Sequence, residues 1–344
     1  MLRSSMLVSA GLLATLCLIS SVPTLAQRDD RWGTSAAVTA ARVPDTAVLP
    51  DVDPTFISNE LEEASAPAAT GFSYATGGGA LRNRSTTAIG ISGVVSPTVA
   101  AYLYWAVITE GTPPTSVTSV TLSRESPAPP ATAVIKGTAI GSGISPCWLG
   151  NQITVYRGTV STSLANGNGL YRVTISSAKG TAGSTDGADP WLEAKDPLWE
   201  GASLVVVGKG TGSVVIFDKG LAGATFKNSL SYKLNLPVTA SGKLTLFDNI
   251  AADGQYGVSR IPKIADKLTE MNGKYVMGKD SPYNDAGWNG SSGLPLPQLW
   301  DDTGVDITPA TPKGTKTISV SITQSNSSGF NDCLTPVANV LEIH

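Results

Sequence analysis

The chain has one histidine in 344 residues, and it is the last, His344. Ser-His-Asp and Cys-His centres need an imidazole beside the nucleophile, so neither is expected in the body of the chain. Charge is scarce as well. Only 15% of residues are Asp, Glu, Lys or Arg, and 24 basic against 27 acidic groups leave a net charge of −3. No basic cluster stands out, so a nucleic-acid partner or an anionic membrane surface is not expected. Sparse charge with abundant Gly, Ser and Thr disfavours long helices and coiled coils. There is no Gly-x-Ser-x-Gly elbow and no phosphate loop of the Walker type. Gly77-Gly78-Gly79 precedes no strand-helix unit and reads as a flexible turn.

What is present begins with an export signal. Arg3 gives a positive start, Met6 to Ile19 is apolar, and Thr24-Leu25-Ala26 offers a small-residue cleavage site before Gln27. The apolar run falls short of the roughly 20 residues that a spanning helix requires. Residues 1–26 are therefore read as a signal peptide cleaved after Ala26, with no transmembrane segment in the mature chain. An uncleaved anchor is the alternative. The mature protein is expected to be secreted or held at the extracellular surface. Of three cysteines, Cys17 leaves with the signal. Cys147 and Cys333 remain in an oxidising compartment, where a disulfide is the favoured reading and two buried thiols the alternative.

Residues 27–70 lack steady periodicity and carry Pro44, Pro50, Pro54 and Pro67, with Trp32, Phe56 and Leu61 as large anchors. They are expected to form an extended or partly disordered leader. From Gly71 the pattern changes to short β-type runs separated by Gly, Pro, Asn and Asp. Val99 to Ile108 is nearly all apolar, as suits a strand in a sandwich interior. Ala202–Gly208 and Ser213–Phe217 read as a hairpin, and Asn166-Gly167-Asn168-Gly169 as a tight turn. Lys263–Met271 is the one short helix candidate. The fold class expected is all-β: residues 71–344 as a single large β-sandwich or jelly-roll-like domain with a short helix at most.

Several strings also match a known pattern in order. They are Ala101-Tyr102-Leu103-Tyr104-Trp105, then Trp199-Glu200-Gly201-Ala202-Ser203-Leu204-Val205-Val206-Val207. Leu299-Trp300-Asp301-Asp302-Thr303 and Asn331-Asp332-Cys333-Leu334 follow. Together they resemble a domain of unknown function found in secreted and cell-surface proteins of bacteria and archaea, often beside adhesin-like β modules. The resemblance spans roughly Ala100 to Ile343. It implies an extracellular β-sandwich and supplies no catalytic residues. Unlike the commoner arrangement, no repeat array or wall anchor follows in this sequence.

Carboxylates are the remaining acid-base groups. Glu193, Glu200, Asp253, Asp285, Asp301 and Asp302 are candidates for a glycosidase pair, but nothing in their spacing selects two. Acidic loops suggest a weak Ca²⁺ site instead, with Asp186, Asp189, Asp253 and Asp301 as candidate ligands beside Asp248-Asn249 and Asn284-Asp285. None has EF-hand spacing, and turn or capping roles explain Asp and Asn equally well. Pro282 to Trp300 is the candidate recognition surface: Tyr283, Asp285, Trp288 and Trp300 sit among Asn, Gly, Ser and Pro with no strand pattern to bury them. A long loop packing its own aromatics is the alternative. The leading functional expectation is a binding or adhesion module for a glycan, matrix or protein ligand, without catalysis. The alternatives are a two-carboxylate carbohydrate hydrolase on a jelly-roll scaffold and a secreted effector acting on a protein.

Overall fold

A computed structural model describes residues 46–58, 71–127, 129–145, 151–175, 196–254, 267–278, 288, 290, 292, 299–324 and 333–344. Nineteen strands run through them. The first seven are β1 (Thr46–Val52), β2 (Phe56–Ile57), β3 (Phe72–Ala80), β4 (Thr86–Ile91), β5 (Val95–Glu110), β6 (Ser119–Ser126) and β7 (Ala131–Lys136). There follow β8 (Thr138–Ile144), β9 (Asn151–Thr159), β10 (Gly169–Ile175), β11 (Leu198–Lys209), β12 (Ser213–Phe217) and β13 (Ser229–Asn235). The last six are β14 (Thr245–Ala252), β15 (Lys267–Met271), β16 (Lys274–Met277), β17 (Trp300–Asp306), β18 (Thr317–Gln324) and β19 (Thr335–Ile343). Thr115–Val117 and Thr308–Ala310 make single 3-10 turns. The protein is all-β and sandwich-like.

The strands form four sheets, in the orders β4-β10-β6-β7, β3-β11-β5-β9-β8, β17-β14-β19-β12-β2 and β1-β13-β18-β15-β16. Among the described strands, only β1 and β13 pair in parallel. The side-chain alternation of β5 explains how the sheets stack. Leu103, Trp105 and Val107 point into one core with Ile89, Leu122 and Tyr171 of the β4 sheet. Tyr104, Ala106 and Ile108 point the other way, into a core with Val214, Ile216 and Val340 of the β14 sheet. That sheet in turn presents Phe217, Phe247 and Leu341 to Leu230, Tyr232 and Ile318 of the β13 sheet. Two sheets are thus covered on both faces. Strands covered on both faces carry continuous rather than alternating apolar runs, and all nine residues of β19 are buried.

Aromatic packing fixes the register. The Trp105 ring stacks on Tyr156 with centroids 5.6 Å apart, while its indole N–H donates to the Val117 carbonyl at 3.0 Å. Burial of a large apolar side chain contributes roughly 1.5–3 kcal/mol, and an aromatic pair about 0.5–1.5 kcal/mol more. Phe56, in the segment expected to be an extended leader, is buried in β2 and meets Tyr102 edge-on at 5.6 Å.

Three local expectations change. Gly77-Gly78-Gly79 is not a turn but the later part of β3, paired along β11. A Cβ on Gly78 would lie 2.6 Å from Ser203 Oγ, and one on Gly77 or Gly79 would collide with the Gly90 carbonyl or Thr87 Oγ1. The three glycines let sheets approach closely on both sides. The β11–β12 hairpin does not form: β11 pairs with β3 and β5, β12 with β19 and β2. Gly210 and Gly212 donate backbone bonds to Gly71 and Phe72 as the chain steps between layers. The described part of the helix candidate is strand β15, whose Thr269 and Met271 are buried. It turns at Asn272-Gly273, both at positive φ (46° and 77°), into β16, as two-residue hairpins favour.

The early and late parts of the chain touch. A Cβ on Gly141 would collide with the Ala222 carbonyl, and one on Gly143 with the Gly223 carbonyl. Gly223 N–H donates to Pro336 O at 3.1 Å, and Phe226 bridges to Leu334. Strand β8 and the start of β19 therefore flank one segment, 222–226. Cys333 is buried; Cys147 lies outside the described residues.

Candidate functional site

Tyr283, Asp285, Asp186 and Asp189 lie outside the described residues. The two tryptophans expected on a recognition surface are in the core. Trp288 is 1% exposed, its indole N–H donates to Thr269 Oγ1 at 3.1 Å, and its ring meets Phe226 edge-on. Trp300 is 0% exposed, and its indole N–H donates to Ser203 Oγ at 2.8 Å. The exposure assumed for them came from reading 282–300 without strands, yet Trp300 opens β17.

Asp248-Asn249 and Asp301-Asp302, read as acidic loops, lie inside β14 and β17. Neighbouring residues on a strand face opposite ways, so neither pair converges on one ion. Asn249 turns toward Asn339, whose Nδ2 donates to its Oδ1 at 3.2 Å. Both oxygens of Asp301 accept from the Gly290 N–H, at 3.0 and 2.9 Å. Asp253 is buried at φ +73°. Among the described residues, no group of three or more His, Cys, Asp or Glu is placed to hold a metal ion.

Among the described residues, two arrangements can do chemistry. The first is the seam between the inner sheets, where Asp248 and Asp302 face β3. Thr76 Oγ1 donates to Asp302 Oδ1 at 2.5 Å, and Gly304 leaves room beside the Asp248 carboxylate. Burial pushes Asp248 up to about 6, against hydrogen bonds from Tyr74 and Thr76. Burial, and then the charge of Asp248, push Asp302 up to about 7, with Ser203 and Thr76 opposing. Tyr74 is also raised, chiefly by burial and then by Asp248. Nearby, Glu200 and Arg82 form a buried ion pair, with Glu200 raised by burial.

The second is a cavity of about 540 Å³ where the outer sheet's edge strand β7 parts from the inner sheet's edge strand β8. Lys136, Arg157 and Lys219 line it with Val134, Ile140 and Thr138. Arg157 is held from behind: its Nη1 donates to Asp218 Oδ2 at 2.6 Å, and that oxygen also accepts from Tyr104 Oη at 2.9 Å. Asp218 is wholly buried. The guanidinium carbon sits 5.6 Å from the centre of the Tyr102 ring. These cations are far apart in sequence, so only the topology gathers them. No local motif announces the site.

No family model matches this chain, and no curated protein is significantly similar to it. Among solved structures it is similar to the ANX1 ectodomain from Arabidopsis thaliana, at 11% identity and a TM-score of 0.24. That match covers 75% of this chain and 81% of the other. It is also similar to PNGase F, a glycosylasparaginase from Flavobacterium meningosepticum, at 12% identity and a TM-score of 0.24. Here 79% of this chain and 96% of the other are covered. Scores this low carry no inference about this chain's activity. No helix among the described residues is long and apolar enough to cross a membrane.

Proposed function

We propose that this protein is an extracellular or surface-associated binding module, exported on residues 1–26 and stapled by a Cys147–Cys333 disulfide. The observation that carries the reading is where polar chemistry meets open volume. Asp218, Glu200, Asp248 and Asp302 lie between packed layers, where they tie strands together. The β7–β8 cavity instead turns Lys136, Arg157 and Lys219 toward a ligand-sized space, within the range typical of small-molecule sites.

The staple is supported by the shared contacts of β8 and β19 with segment 222–226, and by the burial of Cys333. Export is supported by the signal-like first 26 residues, and a surface role by the resemblance to the adhesin-associated domain. The test is a glycan and protein-ligand array probed with the mature chain, with reducing-end release measured in parallel. Retention without cleavage is expected. Turnover of a glycan would overturn the reading.

A carbohydrate hydrolase is the second reading, favoured by the seam acids. An acid that keeps its proton to about pH 7 beside a more acidic carboxylate suits general acid-base work. Reducing-end release that Asp302→Asn abolishes, with the fold intact, would establish it.

A further inference from the structure

We infer that the β7–β8 cavity is a binding site for an acidic saccharide, a sugar ring bearing a carboxylate. The inference rests on the binding-module reading and narrows it to a ligand class.

Charge is the first argument. The protein carries more acidic than basic groups, yet all the ionisable side chains lining this cavity are cationic: Lys136, Arg157 and Lys219. Asp218, the acid bound to Arg157, is itself buried. Neither lysine forms an ion pair among the described residues. An anion entering here therefore meets uncompensated positive charge.

Preorganisation is the second. Arg157 is clamped by Asp218 and Tyr104 and lies over Tyr102, with only Nη1 engaged by the aspartate. A guanidinium already fixed in direction loses little freedom on binding, and its remaining N–H groups form a fork that matches a carboxylate. Lys219 sits in a turn held by the Leu221 and Ala222 amides on Asp218 O, at 3.2 and 2.7 Å. Lys136 ends β7, and the next residue, Gly137, is tied to Thr118 O at 2.8 Å. The backbones beneath both lysines are thus anchored.

The third argument separates a sugar acid from a bare anion. Thr138 and Thr159 supply hydroxyls, while Val134, Ala139 and Ile140 supply apolar surface. Val134 is 63% exposed, so its apolar surface is open to a ligand. A ring with hydroxyls on its edge and C–H groups on its face uses both kinds of partner. Inorganic sulfate could accept from the hydroxyls but would leave the apolar surface without a partner. The volume, about 540 Å³, is far larger than such an ion needs.

The experiment is calorimetric titration of the mature protein with galacturonate, glucuronate and mannuronate trimers, a neutral galactose trimer and inorganic sulfate. At least one uronate trimer is expected to bind at least about tenfold more tightly than the neutral trimer or sulfate, and to weaken as salt rises. Lys136→Ala with Lys219→Ala should reduce that affinity at least about tenfold while leaving the melting temperature unchanged. Silence toward all three uronates, equal affinity for the neutral trimer, equal affinity for sulfate, or an unaffected double variant would each overturn the site. Retention on a neutral glycan or protein ligand, with the uronates silent, would overturn this site and leave the broader binding reading standing. Silence toward every ligand class would remove both.

Discussion

Trp300 packs directly on Gly201: a Cβ built on the glycine would lie 2.7 Å from the tryptophan Cβ and closer still to its indole ring. Gly201 belongs to β11 and Trp300 to β17, so this contact sets the spacing of the two inner sheets where the indole N–H reaches Ser203. Gly201→Ala is expected to destabilise the fold by about 1–3 kcal/mol through overpacking. Urea denaturation measures this. Unchanged stability would show that the sheets are not in contact there.

Trp288→Ala should also cost stability, by about 3–5 kcal/mol, because it empties a buried site and leaves the Thr269 hydroxyl without its indole donor. If Trp288 instead stood on a recognition face, the variant would melt like the parent and lose only ligand. Thermal denaturation separates the two outcomes.

The seam acids make stability depend on pH with a definite sign. Asp302 and Asp248 are raised to about 7 and about 6 in the folded state, against about 3.9 when unfolded. The folded chain therefore holds extra protons between about pH 4 and 7. Their contribution is fully present below the unfolded value and is lost as pH rises through that window. Glu200, raised by burial, acts in the same direction, so the informative quantity is the difference between Asp302→Asn and the parent. The variant should lose less stability than the parent from pH 4 to 7.5. Parallel curves would place the Asp302 carboxylate in water.

How much of this could be read from the amino-acid order differs by level. The all-β class was legible, because Gly, Pro, Asn and Asp punctuate short apolar runs. So were most individual strands; Val99–Ile108 lies within β5 and Leu230–Leu236 overlaps β13. The layering rests on β5, β11 and β19, whose residues are buried on both faces along most of their length. A single two-sheet sandwich would need alternation there instead. The Gly208–Gly212 stretch resembled a hairpin loop because glycine serves equally where a chain steps between layers.

The candidate site was less legible. Trp288 and Trp300 looked exposed because their burial comes from Phe226, Gly201 and other partners remote in sequence. Asp302 was among the candidate carboxylates, but its neighbour Asp248 lies 54 positions away by numbering, opposite Gly304 across the β14–β17 ladder. Lys136, Arg157 and Lys219 carried no local signal. Three isolated cations in a weakly charged chain become a cluster only once β7, β9 and the turn after β12 are brought together.

The most direct test of an exported, stapled binding module is the intact mass of the protein recovered outside the producing cell, measured before and after reduction. The expected species begins at Gln27 and gains two hydrogens on reduction, with Cys147 and Cys333 in one linked peptide. Reduction should also remove stability, by roughly 2–5 kcal/mol for the long loop that the bond closes. A chain retained inside the cell from Met1, with both thiols alkylated before any reductant is added, would contradict it.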